Sequence, residues 1–183
     1  MSFNQSLNNI SESDLKFIVE NGRRTSILDG FEFESAIHFS YKFVKETIPN
    51  LIKNGNFEKL IASCFRDRGI GYHDNEISYI SHKQLLSFVL WLKDELQDLN
   101  KLEQGYLSGE PDFDMVASGI KDLDQFGNLN TIDQLAGGDI TKWNHIEQMK
   151  YSQVFDKLYK TSIENRIQRK LGEIQKNKAK AKK

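Results

Sequence analysis

The chain has 183 residues with a net charge of −1 at pH 7, so no global field draws it to nucleic acid or to an anionic membrane. Its single cysteine excludes an intrachain disulfide and argues against a thiolate zinc site. The first residues lack the pattern of a signal peptide, and no apolar run approaches the ~20 residues that span a membrane. We therefore expect a soluble helical protein, one domain or a domain with an appended arm, that works by contact.

The first third of the chain predicts helices joined by turns. N-cap residues before an apolar run indicate a short helix over residues 11–21, and a basic turn follows at residues 23–30. A longer helix is predicted from Glu32 to Ile48, because large apolar groups recur there at helical spacing. They are Phe33, Ile37, Tyr41, Val44 and Ile48. Pro49 should end or kink this helix.

The middle of the chain combines an irregular stretch with a long helix. A short helix is expected over residues 57–65. The glycines and alternating apolar groups of residues 66–80 then indicate an irregular loop or a short hairpin. Ser81 is an N-cap candidate for a helix that should reach about Leu102. Its apolar stripe follows alternating steps of four and three residues: Leu85, Val89, Leu92, Leu96 and Leu99.

Glycines and a proline between residues 105 and 111 mark the best candidate boundary. We predict a helical part over residues 1–104, a helical corner over 105–158 and a basic arm over 159–183. A helix is expected from Pro111 to about Phe126, with Met115, Val116, Ile120 and Leu123 on its inner side. The predicted fold class is all-α, a bundle of about six helices with a long C-terminal helical arm.

The densest apolar stretch lies at residues 128–158 and predicts the corner itself. A glycine pair stops a short helix there, because glycine takes the left-handed conformation without a steric clash, and an acidic residue caps the next helix. The two large aromatic residues of this stretch should be largely buried. The predicted structural corner consists of Gly137, Gly138, Asp139, Trp143 and Phe155.

A final helix is predicted from Ser152 to about Gln175, with one apolar stripe from Val154 to Ile174. It leads into a Lys/Ala tail that is a solvated end, a nucleic-acid contact without sequence preference, or an arm that enters a neighbouring subunit. Residues 94–124 hold nine acidic side chains against two lysines, whereas lysine and arginine dominate residues 157–183. This separation of negative and positive charge along the chain suits self-association. The predicted interaction arm consists of Arg166, Arg169, Lys170, Lys176, Lys178, Lys180, Lys182 and Lys183.

No catalytic, cofactor-binding or metal-binding residue is predicted, and we do not expect an enzyme. The four histidines (His38, His73, His82 and His145) are not spaced as a ligand set, and a polar turn is the default interpretation of the His73 segment. Cys64 stands in an apolar run and is expected to be a small buried residue. The glycine pairs lack the remaining residues of a dinucleotide or phosphate loop. A helix-turn-helix over residues 131–149 would present acidic side chains to DNA.

A resemblance adds to these expectations. Residues 128–158 are similar to the C-terminal part of small virion or assembly proteins of tailed bacteriophages, as is the Asn-rich, Lys-tailed character of the chain. The residues that carry the similarity are Leu135, Ala136, Gly137, Gly138, Asp139, Trp143, Ile146, Met149, Tyr151, Val154 and Phe155.

The resemblance implies a non-enzymatic connector-ring or tail protein whose partners are other virion proteins and copies of itself. Such connector proteins are typically small helical bundles with a terminal arm that docks into the next ring. It places the chain in the virion, or in the host cytoplasm during assembly. The alternatives are a tail-assembly chaperone that the virion does not retain, and a nucleic-acid-binding module that uses the Lys-rich tail. No functional residue carries over, because no site motif matches.

Overall fold

The computed structural model describes residues 24–71, 80–109 and 116–181. The predicted helix at residues 11–21, most of the irregular stretch at 66–80, the predicted helix start at Pro111, and Lys182 and Lys183 lie outside these ranges. The all-α prediction is confirmed, because helices dominate and the strands described form one small hairpin. The division into three parts stays a prediction.

A hairpin opens the described chain where a basic turn was expected. Strands β1 (Ile27–Leu28) and β2 (Phe31–Glu32) pair antiparallel, with Leu28 opposite Phe31. Asp29 and Gly30, the two loop residues, have φ values of 49° and 76°. Positive φ at both central positions is the signature of a type I′ turn, for which Asp-Gly is a preferred sequence.

The predicted helix from Glu32 to Ile48 is wrong over its first half. A 3-10 turn occupies Ala36–His38, and the helical run begins only after Ser40. Carboxylates from distant parts of the chain accept hydrogen bonds from backbone amides of this segment, so these amides have partners without forming a helix. Glu95 accepts hydrogen bonds from the Ser35 hydroxyl at 2.6 Å and the Ala36 amide at 2.8 Å, and Asp67 accepts from the Ser40 amide at 2.9 Å. Four of the five apolar residues of the predicted stripe are nevertheless buried: Phe33, Tyr41, Val44 and Ile48.

Pro49 does not end the helical run. A π-helix spans Phe43–Thr47 and passes directly into α1 (Ile48–Lys53), with Pro49 in the first turn of α1. A proline is tolerated there because the first-turn amides of a helix have no partner within that helix. A turn follows α1, with Gly55 at φ 64°.

Helices α2 (Phe57–Asp67) and α3 (His82–Tyr106) follow. The Ser81 hydroxyl accepts the Gln84 amide at 3.3 Å, which confirms the predicted N-cap of α3. The predicted stripe faces the core, and α3 continues through Gly105, beyond its expected end near Leu102.

The helix expected to reach Phe126 is not a buried α-helix. Its described part contains a 3-10 helix, Ile120–Phe126, without a buried residue. Gly119 (φ 86°) and Gly127 (φ 51°) stand at its two ends in conformations that no regular helix contains. Val116, Ile120 and Leu123, which were expected inside, are therefore exposed.

The last third contains α4 (Asn128–Ala136), a 3-10 turn (Ile140–Lys142), α5 (Trp143–Gln148) and α6 (Tyr151–Lys180). Helix α6 has 30 residues, which corresponds to a length of about 45 Å. It begins one residue before its predicted start and extends into the Lys/Ala tail.

The core is built around aromatic rings. Phe33 contacts Phe65 of α2 and Phe88 of α3, with ring centroids 5.1 and 4.9 Å apart, and its neighbour Phe31 at 4.8 Å. This cluster joins the hairpin to α2 and α3. The same core includes Ile132 of α4 and Val154 of α6, so the first turns of α6 are part of the bundle.

Candidate interaction surface and the clamp that positions it

Two backbone hydrogen bonds hold the start of α6. The Tyr41 amide donates to the Met149 carbonyl, and the Tyr151 amide donates to the Phe39 carbonyl, both at 2.8 Å. They form an antiparallel bridge between Ser40 and Lys150. Because helical structure starts just after each of these two residues, the bridge fixes the starting points of both helical runs relative to each other.

A polar cluster beside this bridge connects three helical segments. The Tyr151 hydroxyl donates to Glu103 Oε1 at 2.6 Å, and Lys45 Nζ pairs with Glu103 Oε2. Lys45 also lies over the Tyr151 ring, 5.9 Å from its centroid. We call Lys45, Glu103 and Tyr151 the clamp. It links the π-helix, α3 and α6, and both members of its ion pair are about one-fifth exposed.

The surroundings of the clamp favour the protonated forms of Tyr151 and of the neighbouring Tyr41. Burial raises the pKa of Tyr151, and the hydrogen bond to Glu103 raises it further. Burial also raises the pKa of Tyr41, against a lowering by the Thr131 side chain. The clamp tyrosine is therefore a stable hydrogen-bond donor at neutral pH, with no tendency to act as a base.

A second contact supplies a side-chain donor to a backbone carbonyl just before Pro49. Lys45 lies in the π-helix four residues before Pro49, and a proline has no amide to donate to its carbonyl. The Asn128 side-chain amide donates to this carbonyl at 3.4 Å. The first residue of α4 is thereby fixed to the same segment that carries the clamp lysine. An open cleft of about 360 Å³ lies beside these residues, lined in part by Tyr41, Lys45 and Glu103.

Aromatic rings continue the attachment along α6. Tyr41, Tyr151, Phe155 and Tyr159 follow one another in near-parallel orientation, with centroids 6.2, 6.3 and 6.3 Å apart. Tyr106, at the end of α3, meets the rings of Phe155 and Tyr159 edge-on. Aromatic pairs of this kind contribute roughly 0.5–1.5 kcal/mol each beyond their buried area, so the first three turns of α6 are held firmly.

The glycine corner has the predicted geometry. Gly137 (φ 68°) and Gly138 (φ 78°) are both left-handed, and the Gly138 amide donates to the Asp133 carbonyl at 3.0 Å, which closes a Schellman motif. Asp139 accepts from the Thr141 amide at 3.0 Å and from its hydroxyl at 2.6 Å. These bonds, with Lys142 nearby, lower the pKa of Asp139.

The two aromatic residues of the corner keep a minor exposed fraction. Trp143 and Phe155 are both partly buried and pack against the core from its edge. The Trp143 indole N–H donates to Asp133 Oδ1 at 3.1 Å, which ties α5 to α4. A tryptophan with its N–H at a polar edge retains solvent contact, and this explains the partial exposure.

Helix α6 has two apolar faces, not the single stripe that was predicted. Successive residues of a helix are rotated by about 100°, and Tyr151, Val154, Phe155 and Leu158 fall on one side by this geometry. The apolar residues farther along fall on roughly the opposite side. We call them the distal stripe: Ile163, Ile167, Leu171 and Ile174.

Burial agrees with this division. Tyr151 and Val154 are 2% and 1% exposed, whereas Ile167, Leu171 and Ile174 are 50%, 46% and 49% exposed. On the core-facing side, the Ser162 hydroxyl donates to the Tyr106 carbonyl at 3.4 Å, and Arg169 lies against Gly109. The bundle therefore flanks the side of α6 opposite the distal stripe, and the stripe faces away from it.

The basic residues of the predicted arm are exposed over the described part of α6. Helical geometry places Arg166, Arg169, Lys176 and Lys180 on the side opposite the distal stripe, while Lys170 and Lys178 border the stripe. The distal half of α6 is thus an amphipathic helix with a basic face.

The described residues show no grouping suited to catalysis. His38 is next to Glu34 at 3.5 Å, His145 is exposed, and no three potential metal ligands come together among the residues the structure describes. Cys64 is completely buried, as expected, and burial raises the pKa of its thiol. His73 and the side chain of His82 lie outside the described part. Within that part, no helix has the length and apolarity needed to cross a membrane.

Sequence reasoning did not find the clamp. Its members are separated by 58 and 48 residues, and none belongs to a motif. The signal nearest to it is the tyrosine repeat at positions 151 and 159 with Phe155 between them. That repeat indicates a packed helix face, but it does not indicate which carboxylate contacts this face.

Comparisons with known proteins give no relative. No family model matches the chain, and neither a curated protein nor a solved structure matches it.

Proposed function

We propose that this chain is a non-enzymatic structural subunit that works through protein–protein contacts made by the distal half of α6. The observation that carries the proposal is the exposed distal stripe on a helix whose other end is clamped to the core. A row of exposed apolar groups at helical spacing is the feature by which an amphipathic helix binds in the apolar groove of a partner.

The particular assembly that we propose is a tailed-bacteriophage virion, in which the chain is a connector-ring or tail component. The support is the resemblance over residues 128–158 together with the anchored arm. The proposed partners are other virion proteins and copies of the same chain. The proposed location is the virion, or the host cytoplasm during assembly.

Two alternatives make different use of the same arm. A tail-assembly chaperone would bind tail proteins through the distal stripe and be absent from finished particles. A nucleic-acid-binding module would use the basic face of α6, whose exposed arginines and lysines can neutralise phosphates without reading sequence.

Mass spectrometry of purified phage particles from the source of the gene tests the proposal. The chain should be present in finished particles at a stoichiometry fixed relative to the other structural proteins. Absence from particles whose assembly nevertheless requires the gene would indicate the chaperone. Absence from particles that form normally without the gene would refute both.

Binding to a random DNA duplex tests the third candidate. The virion proposal predicts that Ile167→Asp with Leu171→Asp abolishes the assembly function while DNA affinity is unaffected. A nucleic-acid module would show the reverse: affinity that falls steeply with salt and is lost when Lys176 and Lys178 are replaced by glutamine.

A further inference from the structure

A second exposed apolar row lies on the 3-10 helix Ile120–Phe126, which precedes α6 in the chain. In a 3-10 helix, residues three apart are eclipsed. Ile120, Leu123 and Phe126 therefore stand in one line, and they are 37%, 50% and 50% exposed. We call these three residues the exposed row. Seven residues is long for this kind of helix, and this one has no buried side chain.

Acidic groups flank the exposed row. The three lines of side chains on a 3-10 helix put Asp122 on one side of the row, and Lys121 together with Asp124 on the other. All three residues are exposed. The exposed row is therefore an apolar line with an acidic edge at Asp122 and a second edge on which Lys121 offsets Asp124.

The distal stripe of α6 has a basic edge. Steps of three and four residues along a helix connect neighbours on one face. Lys178 stands at one end of the stripe and Lys170 along one edge. Lys160, at the other end, pairs at 3.1 Å with Glu164, which lies along the opposite edge. The exposed parts of the two apolar lines are similar in length: about 10 Å from Ile167 to Ile174 in the α-helix, and about 12 Å from Ile120 to Phe126 in the 3-10 helix.

We propose that the distal stripe of one copy docks on the exposed row of a second copy, so that copies of the chain join head to tail. Apart from the half-buried Ile163, both lines are exposed within a single copy, so neither covers the other there. Apolar contact drives the docking, and the Lys170 edge of the stripe beside the Asp122 edge of the row sets its orientation. Such a contact uses two different surfaces, and it builds a closed ring or an open filament according to the rotation between copies.

Charge disfavours the other self-contact, in which two distal stripes meet. Between residues 164 and 180, six basic side chains stand against two acidic ones. Two such arms side by side would repel each other, whereas an arm on the exposed row brings opposite charges together. This inference rests on the proposed function, because it names the partner of the same surface.

The predicted contact is small. A helix face of this length and about 10 Å width covers on the order of 100 Å², below the ~800 Å² per partner of a stable interface. We therefore expect association that depends on concentration over about 1 µM to 1 mM, strengthened when a ring closes.

Analytical ultracentrifugation of the full chain and three variants tests the pairing. The arm variant carries Ile167→Asp and Leu171→Asp, and the row variant carries Leu123→Lys and Phe126→Lys. The matched control is Ile140→Asp, at an isoleucine that is 67% exposed and outside both surfaces. All five positions are at least 46% exposed, so circular dichroism should show unchanged helix content.

The wild type and the control should exceed the monomer mass of 21.2 kDa as concentration rises. The arm variant alone and the row variant alone should each stay monomeric, with association weakened by more than about 100-fold. An equimolar mixture should form a dimer and nothing larger, because the intact row of one protein accepts the intact arm of the other.

Three results would overturn the inference: a wild type that is monomeric throughout, a row variant that still dimerises alone, or a mixture that stays monomeric. The second would indicate arm-to-arm contact. A monomeric wild type found in finished particles would refute this pairing while leaving the proposed function intact.

Discussion

Replacing Tyr151 by phenylalanine removes one hydroxyl from the clamp and should loosen α6 at its root. A hydrogen bond to a charged acceptor contributes about 1.5–3 kcal/mol. Glu103 keeps Lys45 as a partner after the substitution, so the cost should lie near the lower end, about 1.5–2 kcal/mol in the free energy of unfolding. Tyr159→Phe is the matched control, since its hydroxyl makes no hydrogen bond within the described residues, and it should change stability by less than about 0.5 kcal/mol.

The charge on Glu103 should account for much of this cost. In a Glu103→Gln background the tyrosine would donate to a neutral acceptor, a bond roughly half as strong. Tyr151→Phe should then cost only about 0.5–1 kcal/mol, which leaves a coupling of about 1 kcal/mol between the two sites. Glu103→Gln alone also weakens the pair with Lys45. Because both side chains are one-fifth exposed, water screens that pair and its loss should cost about 1–2 kcal/mol.

Urea denaturation followed by circular dichroism measures these free energies, and hydrogen exchange locates the effect. In Tyr151→Phe, amides in the first turns of α6 should exchange faster than in the wild type, while amides of α2 should be unaffected apart from global unfolding. Additive effects in the double variant, or a Tyr151→Phe protein as stable as Tyr159→Phe, would refute the assignment of the clamp.

Three further predictions concern the corner and the clamp. Trp143→Ala should cost about 2 kcal/mol, less than a fully buried tryptophan. Trp143→Phe should cost about 1 kcal/mol, because the bond to Asp133 and part of the ring are lost while the remaining ring still packs on the core. Equal costs in urea melts would contradict this. Gly137→Ala should cost about 1 kcal/mol of stability, because residue 137 has a positive φ. Gly172→Ala, in the middle of α6, should instead stabilise the protein by about 0.5 kcal/mol. A Gly137→Ala protein with an unchanged thermal midpoint would contradict the left-handed conformation of the corner. The raised pKa of Tyr151 keeps its proton in the folded chain above pH 10.0, where the unfolded chain loses it. The free energy of unfolding should therefore fall with pH above 10.0, having its full value below, and this fall should be smaller in Tyr151→Phe.

Local signals predicted the parts of the fold that local chemistry determines. Ser81 caps α3, and Gly137 stops α4, because a hydroxyl acceptor and a left-handed glycine act on the residues next to them. The Asp29-Gly30 turn had a local signal as well, since Asp-Gly directly between two apolar residues, Leu28 and Phe31, is typical of a hairpin. That signal was interpreted only as a basic turn.

The remaining differences come from distant partners. The helix predicted from Glu32 fails because Glu95 and Asp67 bind the backbone near Ser35 and Ser40, and no sequence spacing indicates these pairs. The two faces of α6 have another cause. When only residue types are considered, apolar residues that shift from one side of a helix to the other resemble a single stripe. The burial of each residue is needed to show which of them contact the core.

A photo-crosslinker in place of Leu171 tests most directly whether the distal half of α6 is a contact surface. Equal amounts of unlabelled and isotope-labelled full chain distinguish links between copies from links within one copy. Links between copies that end within residues 116–126 are the predicted result. Links only within one copy, from position 171 to the core, would mean that the distal stripe packs on its own bundle, and they would contradict the account of α6 as an outward-facing arm.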